Sequence, residues 1–354
     1  MRALFDVTHP ALVHLFAPAA EALEAGGHDV TVAAREKDVT TDLLDAAGVP
    51  YAVVSHAGAG PLSRIGELLE REIGLVRLAR RIDPDVVVSQ VDPAAVHAAR
   101  LVGARAVVFD DSEHERLVAG LTHRFADVVC TPSGFDRDVP NQRRYDGFHE
   151  LAYLHPNRFT PDPAALQRHG VDPESSYAVV RFVAWDAHHD LGRRGFSPAG
   201  KQQLVERLDE HGTVYVTAEG EPPTAVGGSS LPVEAIHDLL AFADCYVGDS
   251  QTMATEAAVL GTPAVRTSAF VGDDDMSNFR ELETEYGLLQ SFADEDAAID
   301  RAVAFLKEPP REAWARGHRA TRRAGRIVPD RCGIHAPTLR RAAGRHRSTS
   351  GVSV

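Results

Sequence analysis

The stretch YVGDSQTMATEAAVLGTPAVR (Tyr246–Arg266) leads from an apolar run into hydroxyl and amide side chains, and then into a helical pattern. Ser250 follows the apolar run after Asp249 and is a favourable N-cap, so the N–H groups of Gln251 and Thr252 lie at the helix start. Such a helix start attracts anions, because its N–H donors lack partners and the helix dipole is positive there. We therefore predict that these three residues bind a diphosphate, and that Glu256, in the helix, accepts hydrogen bonds from ribose hydroxyls. The alternative is a plain Asp/Ser cap with an exposed Glu256.

Short Val-rich segments alternate with helical patterns from the start of the chain to the end of this stretch. Strands separated by helices form parallel βαβ units, in which helices cover both faces of the sheet. The fold class that we predict is α/β, with two Rossmann-like doubly wound domains facing a cleft. The predicted strands span residues 3–7, 30–34, 51–54, 85–89, 105–110, 126–132, 177–185, 213–218, 244–249 and 263–266.

The alternation pauses over residues 133–163, which are rich in Pro, Asn, Arg and aromatic residues. We predict that this segment is a connector. The predicted domains are an N-terminal acceptor domain at residues 1–155, a nucleotide-sugar-binding domain at 156–330 and an Arg-rich tail at 331–354.

Length, charge and cysteine content limit the classes of function. A chain of 354 residues exceeds the size of one hydrophobic core, which supports two domains. The net charge is −14 and the composition is poor in Lys, as in salt-adapted proteins, so we expect no nucleic-acid partner. The three cysteines are widely spaced and no secretory signal precedes the first strand. These features predict a cytoplasmic protein.

The first strand is followed by two histidines in the stretch FDVTHPALVHLF. His9 comes at the strand end, and Pro10 occupies the first helical position. Histidine has a pKa near neutrality and suits a general base that takes a proton from an acceptor hydroxyl. We predict that His9 is this base and that His14 contacts substrate. The alternative is that His9 caps or packs against the helix.

A polar loop follows the first strand of the second domain, in RFVAWDAHHDLGRRGF (residues 181–196). Its spacing of carboxylate and imidazole groups is not a defined metal-ligand pattern, so we predict no metal and no other cofactor. Cationic groups here would stabilise the negative charge of a departing nucleoside diphosphate. The alternatives are a solvated loop and a divalent-metal site. The residues that we expect to contact the sugar or diphosphate are Arg181, Asp186, His188 and His189.

Several motifs together resemble a largely archaeal family, domain of unknown function 354, described as predicted glycosyltransferases. This family resembles the GT-B superfamily, with its MurG-type glycosyltransferases and non-hydrolysing UDP-GlcNAc 2-epimerases. The resemblance implies a GT-B-like fold, diphosphate at Ser250–Thr252, ribose on Glu256 and a weaker base contact at His237, which is otherwise an ordinary helix-start residue. The motifs are FDVTHPALVHLF (5–16), YLHPNRFTPD (153–162), RFVAWDAHHD (181–190), GDSQTMATEAAVLGTPAVR (248–266) and DMSNFRELETEYGL (275–288).

Acidic residues follow two strands of the first domain. The resemblance to the epimerases implies catalytic roles for Asp92, for Asp111 or Glu113, and for His188. The alternative is that these carboxylates cap helices. The sequence also departs from the epimerases, since VTHPAL replaces their N-terminal Gly-Thr-Arg-Pro-Glu loop and DSQT replaces Asp-Ser-Gly-Gly.

The function that we predict is transfer of a sugar from a nucleoside diphosphate sugar, with UDP favoured, to an acceptor that lipid could carry. An epimerase-like isomerase and a non-catalytic nucleotide-sugar-binding protein are the alternatives. A further hypothesis is that residues 61–82 form a helix that contacts the inner face of a membrane. The alternative is that this helix covers the sheet. The stripe that carries the hypothesis consists of Ile65, Leu69, Ile73 and Val76.

Overall fold

The computed structural model describes residues 1–37, 39–56, 61–183, 195–218 and 235–324. These residues fold into two compact units, and the chain passes from the first to the second between Tyr153 and Leu154. Each unit has its own parallel sheet, which confirms the predicted α/β class with two Rossmann-like units.

The first unit is built on a seven-stranded sheet in which every pairing of neighbouring strands is parallel. The strand order is β3-β2-β1-β4-β5-β6-β7, so the order reverses between β1 and β4. The strands are β1 (Arg2–Val7), β2 (Asp29–Glu36), β3 (Tyr51–His56), β4 (Val86–Gln90), β5 (Arg105–Phe109), β6 (Val128–Pro132) and β7 (Gln142–Tyr145). The helices are α1 (Pro10–Ala25), α2 (Thr40–Ala46), α3 (Pro61–Ile82), α4 (Pro93–Val102), α5 (Arg116–His123) and, at the division between the units, α6 (Leu151–Leu154).

The second unit has a five-stranded parallel sheet in the order β12-β11-β10-β8-β9, which reverses between β8 and β10. Ligands of such sheets bind at the carboxyl ends of the strands, where the order reverses. The strands are β8 (Tyr177–Phe182), β9 (Thr213–Ala218), β10 (Cys245–Gly248), β11 (Ala264–Thr267) and β12 (Leu289–Phe292). The helices are α7 (Pro163–Arg168), α8 (Pro198–Asp209), α9 (Ile236–Phe242), α10 (Gln251–Leu260), α11 (Ser277–Thr284), α12 (Glu295–Lys307) and α13 (Arg311–Ala324).

The core of the first unit explains its Val-rich strands. Val87 of β4 and Val108 of β5 are buried in one cluster with Leu75 of α3 and Ala99 of α4. Because helices cover the sheet, the strand residues are apolar on consecutive positions rather than on alternate ones. Small residues on α4 let this helix lie close to the sheet.

The interpretation of residues 133–163 as a pure connector was wrong, because strand β7 lies within them. Gln142–Tyr145 has two exposed and one half-buried residue out of four, so it lacks the apolar signature of a strand. It is nonetheless held by a parallel ladder to β6. Strand β12, at the edge of the second sheet, is likewise half exposed and was not predicted.

Helix α3 coincides with the amphipathic stretch predicted at residues 61–82. The apolar residues that it buries fully are Leu75, Leu78 and Ala79, whereas Leu69 and Ile73 of the predicted stripe are 61% and 47% exposed. Of the stripe, Val76 packs against the core of the sheet, and Leu69 and Ile73 do not cover it. Within the described residues, no helix combines the length and hydropathy needed to cross a bilayer.

Candidate functional site

The carboxyl end of β10 opens into the turn that the sequence singled out. Ser250 is extended, with φ −80° and ψ 122°, and its hydroxyl accepts a hydrogen bond from the N–H of Met253 at 3.4 Å. The predicted N-cap is thereby confirmed. Gln251 and Thr252 form the first turn of α10, where backbone N–H groups lack helical partners. This end of β10 lies beside β8, at the point where the strand order reverses.

Gly248 ends strand β10 in a crowded position. A Cβ atom there would lie 2.7 Å from the hydroxyl oxygen of Tyr246 and closer still to the carbonyl of Arg181. No side chain fits, so the backbone of β10 approaches β8 directly in front of the turn. Arg181 is half-buried in β8, and its carbonyl accepts a hydrogen bond from Asp249 at 3.2 Å. The predicted residues Arg181 and Ser250 thus belong to adjacent strand ends.

Glu256 lies in the buried part of α10, in which all residues from Met253 to Val259 are buried. Its side chain is 5% exposed, and its Oε1 lies 3.0 Å from Nε2 of His237 on α9. The structure therefore pairs two residues that the sequence had placed in separate roles, Glu256 at ribose and His237 at the base.

Asp249 contacts the described residues on either side of segment 184–194. Its Oδ1 accepts a hydrogen bond from the N–H of Val183 at 2.7 Å, and the N–H of Phe196 bonds to it as well. Burial raises the pKa of this carboxyl group although those N–H groups oppose the shift. The predicted site residues Asp186, His188 and His189 are in the intervening segment and lie outside the described residues.

Arg266 forms a second buried polar group in the second unit, at the end of β11. Its guanidinium is paired with Asp275 and lies 3.7 Å above the ring of Phe279. Burial lowers the pKa of Arg266 although Asp275 opposes the shift. This ion pair anchors the acidic segment at residues 272–275, of which Asp273 and Asp274 remain exposed.

In the first unit, His9 caps helix α1. Its Nδ1 accepts a hydrogen bond from the N–H of Ala11 at 3.3 Å, and Pro10 occupies the first helical turn as predicted. A neutral imidazole that accepts at Nδ1 carries its proton on Nε2. A proton acceptor at Nε2 therefore requires this cap bond to break. His14, one turn further, packs its ring against Tyr153 with 5.4 Å between centroids.

Asp92 follows β4 and is engaged by both of its oxygens. Oδ1 accepts a hydrogen bond from the N–H of Ala94 at 2.7 Å and caps α4, while Oδ2 accepts one from Nε of Arg71 at 2.8 Å. The same guanidinium pairs with Asp6 of β1, so Arg71 bridges two carboxylates where the strand order reverses. Burial raises the pKa of Asp6 to about 6; the charge of Asp92 adds to the shift and Arg71 opposes it.

Asp111, after β5, is paired with His149, whose Nδ1 lies 2.9 Å from Oδ2 of the carboxylate. Burial acts against both charges, but their mutual attraction prevails: it lowers the pKa of Asp111 and raises that of His149. The neighbouring Asp110 is 3.0 Å from Nε2 of His123. Each carboxylate at this strand end thus has an imidazole beside it.

Sequence reasoning missed the partners Arg71, His149 and Asp6. Only Arg71 left a signal, since it lies four and seven residues before Leu75 and Leu78, on the buried face of α3. A charged residue on the buried face of a helix needs a buried counter-ion. Among the described residues, no group of three or more His, Cys, Asp or Glu side chains is arranged to hold a metal ion.

Comparison with solved structures finds the same fold at low sequence identity. The UDP-GlcNAc 2-epimerase from Neisseria meningitidis bound to UDP-GlcNAc has a TM-score of 0.66 and 12% identity, over 93% of this chain and 98% of that one. Glycosyltransferase VinC in complex with DTDP has a TM-score of 0.61 and 16% identity, over 98% and 100% of the two chains. The Streptomyces sp. SF2575 glycosyltransferase SsfS6, complexed with thymidine diphosphate, has a TM-score of 0.58 and 17% identity, over 93% and 98%.

These likenesses support the GT-B-like fold class over nearly the whole length of the chain. No protein-family model matches the chain, and no curated protein matches its sequence.

Proposed function

We propose that the chain is a GT-B glycosyltransferase that transfers a sugar from a nucleoside diphosphate sugar, with UDP favoured, to an acceptor hydroxyl. The observation that carries this proposal is the helix start at Ser250, at the carboxyl end of β10, with the carboxylate of Glu256 in the same helix. An N-capped helix start favours a diphosphate, and a carboxylate accepts hydrogen bonds from ribose hydroxyls. Membership of the domain of unknown function 354 family and an archaeal, salt-adapted source are part of this proposal.

In the mechanism that we propose, N–H groups at Gln251 and Thr252 bind the diphosphate and stabilise its charge as it departs. Arg181 with Asp186 and His189 contacts the sugar or the diphosphate, and no metal or other cofactor takes part. His9 removes the proton from the acceptor hydroxyl, and its cap bond to Ala11 breaks in that step. At 3.3 Å this hydrogen bond is long and therefore weak, so breaking it costs little free energy.

A thermal-shift panel of UDP-, GDP-, TDP- and CDP-sugars tests donor binding, because a ligand that binds only the folded state stabilises it by mass action. We expect the sugars of one nucleotide to raise the midpoint temperature of thermal unfolding. Glu256→Ala should remove most of that rise. A panel without any shift, or an unchanged shift in the variant, would contradict the proposal.

His9→Asn separates catalysis from capping. Asn is a good N-cap, so the variant should keep the stability of the parent, whereas it cannot act as a base at neutral pH. We expect turnover to fall about 100-fold or more with donor affinity unchanged. Full activity of His9→Asn would exclude His9 as the base.

An epimerase-like isomerase is the second candidate, favoured by the acids after β4 and β5. Asp92 and Asp111, with His188, would then exchange protons with the sugar. Asp92 is held by Arg71 and by its cap bond, so it would have to leave both. Incubation with UDP-GlcNAc alone, followed by NMR at C2, separates the candidates: change of configuration without an acceptor favours the isomerase.

We also propose a cytoplasmic location with peripheral contact to an anionic membrane, which would suit a lipid-linked acceptor. Helix α3 exposes Leu68 and Leu69 at 66% and 61%, and the exposed Arg77, Arg80 and Arg81 follow along the helix. Exposed apolar residues beside arginines are typical of interfacial helices. This surface is distinct from the one that α3 buries against the sheet.

Sedimentation with phosphatidylglycerol vesicles tests this contact, with phosphatidylcholine vesicles in parallel. Leu68→Glu/Leu69→Glu should abolish sedimentation. Leu117→Glu/Leu121→Glu on α5 is the matched control, because these leucines are 80% and 52% exposed. If only the control pair abolishes binding, or neither pair does, the contact does not involve α3.

A further inference from the structure

Glu256 and His237 form a buried pair, and binding of a diphosphate at the helix start does not require such a pair. Glu256 is 4% exposed and His237 is 8% exposed, with 3.0 Å between Nε2 and Oε1. A carboxylate of this kind is costly to bury unless hydrogen bonds satisfy it. All residues of α10 from Met253 to Val259 are buried, and Glu256 is the only ionisable one among them. Its burial therefore calls for a reason.

Helix α9, which carries His237, is held at three points. The hydroxyl of Tyr177 donates to the carbonyl of Leu239 at 2.9 Å, and the hydroxyl of Thr262 donates to the carbonyl of Leu240. The carboxylate of the adjacent Asp238 accepts a hydrogen bond from the N–H of Asp162 at 2.7 Å. These bonds come from β8, from the turn after α10 and from the segment before α7, so α9 is fixed from several directions.

The ring of His237 is also held from its side. Phe159 packs edge-on against it, with 5.9 Å between centroids and 77° between planes. An imidazole on a fixed helix with a fixed ring plane directs Nε2 at one point in space. Glu256, on the neighbouring helix, has Oε1 at that point.

We propose that His237 is a positioning residue that orients the carboxylate of Glu256 as an acceptor for the ribose hydroxyls of a nucleoside diphosphate. This inference rests on the proposed function and replaces the base contact predicted for His237. Through this orientation, His237 sets the preference of the protein for nucleotides that carry the 2′- and 3′-hydroxyls.

The physical reason is preorganisation. A glutamate side chain has three rotatable bonds, and ordering it upon binding lowers affinity. A hydrogen bond from a fixed imidazole removes that loss before the nucleotide arrives. Each carboxylate oxygen can accept more than one hydrogen bond, so a bond from His237 is compatible with acceptance from the ribose hydroxyls.

The test compares two ligands that differ only in the ribose hydroxyls, UDP and 2′,3′-dideoxy-UDP, by titration calorimetry. GDP and 2′,3′-dideoxy-GDP run in parallel. His237→Phe keeps the ring and its contact with Phe159 but removes the donor. His237→Gln places an amide N–H near the position of Nε2 and serves as the conservative rescue. Glu256→Gln reports the contribution of the carboxylate itself, and thermal melting shows whether each variant folds.

We expect the wild type to prefer the ribonucleotide over its dideoxy analogue by about tenfold or more, and His237→Phe to lose about tenfold in affinity for the ribonucleotide alone. His237→Gln should retain most of the preference. In the double variant, His237→Phe should add nothing to the loss caused by Glu256→Gln, because it acts through that carboxylate.

The outcomes separate the inference from the function on which it rests. If no diphosphate binds the wild type, or Glu256→Gln changes nothing, the proposed function fails and the inference with it. If Glu256→Gln weakens ribonucleotide binding but His237→Phe does not, only the inference fails. Equal losses for both ligands in His237→Phe would show a general structural role and would also overturn it. Should His237→Phe not fold, a preference lost in His237→Asn and kept in His237→Gln supports the inference, and equal preferences in the two refute it.

Discussion

Arg71→Met is the substitution from which we expect the most informative loss of stability. Arg71 is 5% exposed and its guanidinium joins Asp6 at the end of β1 to Asp92 after β4. Methionine matches the length of the aliphatic stem but has no charge. The variant therefore leaves two buried or half-buried carboxylates without their shared counter-ion, while most of the packing volume remains.

The loss of unfolding free energy in Arg71→Met follows from the burial of the ion pair and should depend on pH. Removing one partner of a buried ion pair costs about 3–5 kcal/mol. The pKa of Asp6 is about 6 with Arg71 present, since burial raises it. Without Arg71, which opposes that rise, the pKa should increase further. A carboxyl group whose folded pKa exceeds its unfolded pKa favours the folded state below the unfolded value, and this contribution is lost as pH rises through the folded pKa.

The loss in Arg71→Met should therefore approach about 3–5 kcal/mol at pH 8 and be much smaller at pH 5, where Asp6 takes up a proton. Urea unfolding followed by circular dichroism at both pH values measures it. Arg100→Met is the matched control, because the guanidinium of Arg100 is 48% exposed and 3.8 Å from Asp127. The double variant Arg71→Met/Asp6→Asn should recover much of the loss at pH 8.

Two results would refute this reasoning. An equal loss at pH 5 and pH 8 would mean that Arg71 acts through packing rather than charge. A loss in Arg100→Met as large as that in Arg71→Met would mean that burial of the pair is unimportant.

Three further changes test the geometry of the strand ends. Ser250→Ala should lower the stability of the second unit by about 1 kcal/mol, because Met253 loses its cap bond, whereas Ser250→Asn should not; thermal unfolding measures both. Gly248→Ala should cost about 1–3 kcal/mol in urea unfolding, because its Cβ would overlap the β8 backbone, and an unchanged midpoint would contradict this geometry. Asp111→Asn should cost about 2 kcal/mol between roughly pH 4 and 6.5. Because the folded pKa of Asp111 is lowered, its contribution is lost at more acidic pH, and because that of His149 is raised, its contribution is lost at more alkaline pH. A pH series of unfolding midpoints that shows a constant difference would exclude this pairing.

The fold could be predicted from the sequence where the signals are local. The turn into α10 is specified by its own residues, with Ser250 as N-cap and Gly261 as a left-handed C-cap at φ 91°. The central strands are apolar because helices cover them. Strands β7 and β12 could not be found in this way, because an edge strand pairs on one side only and keeps exposed polar side chains. Their position depends on the ladder that the neighbouring strand offers.

Of the candidate site, the sequence predicts the strand-end residues but not the residues that pair with them. Strand-end acids such as Asp92 and Asp111 are visible in a sequence, because they follow apolar runs. Their partners come from distant parts of the chain, and nothing local marks His149 in its polar segment. Arg71 is the instructive case, since it shares the buried helix face of Leu75 and so points to a buried anion. An ionisable residue on an apolar helix face and an acid after a buried strand each require a counter-charge. Matching such residues within one domain narrows the counter-charge of Arg71 to a few strand-end acids, among them Asp92, Asp110 and Asp111.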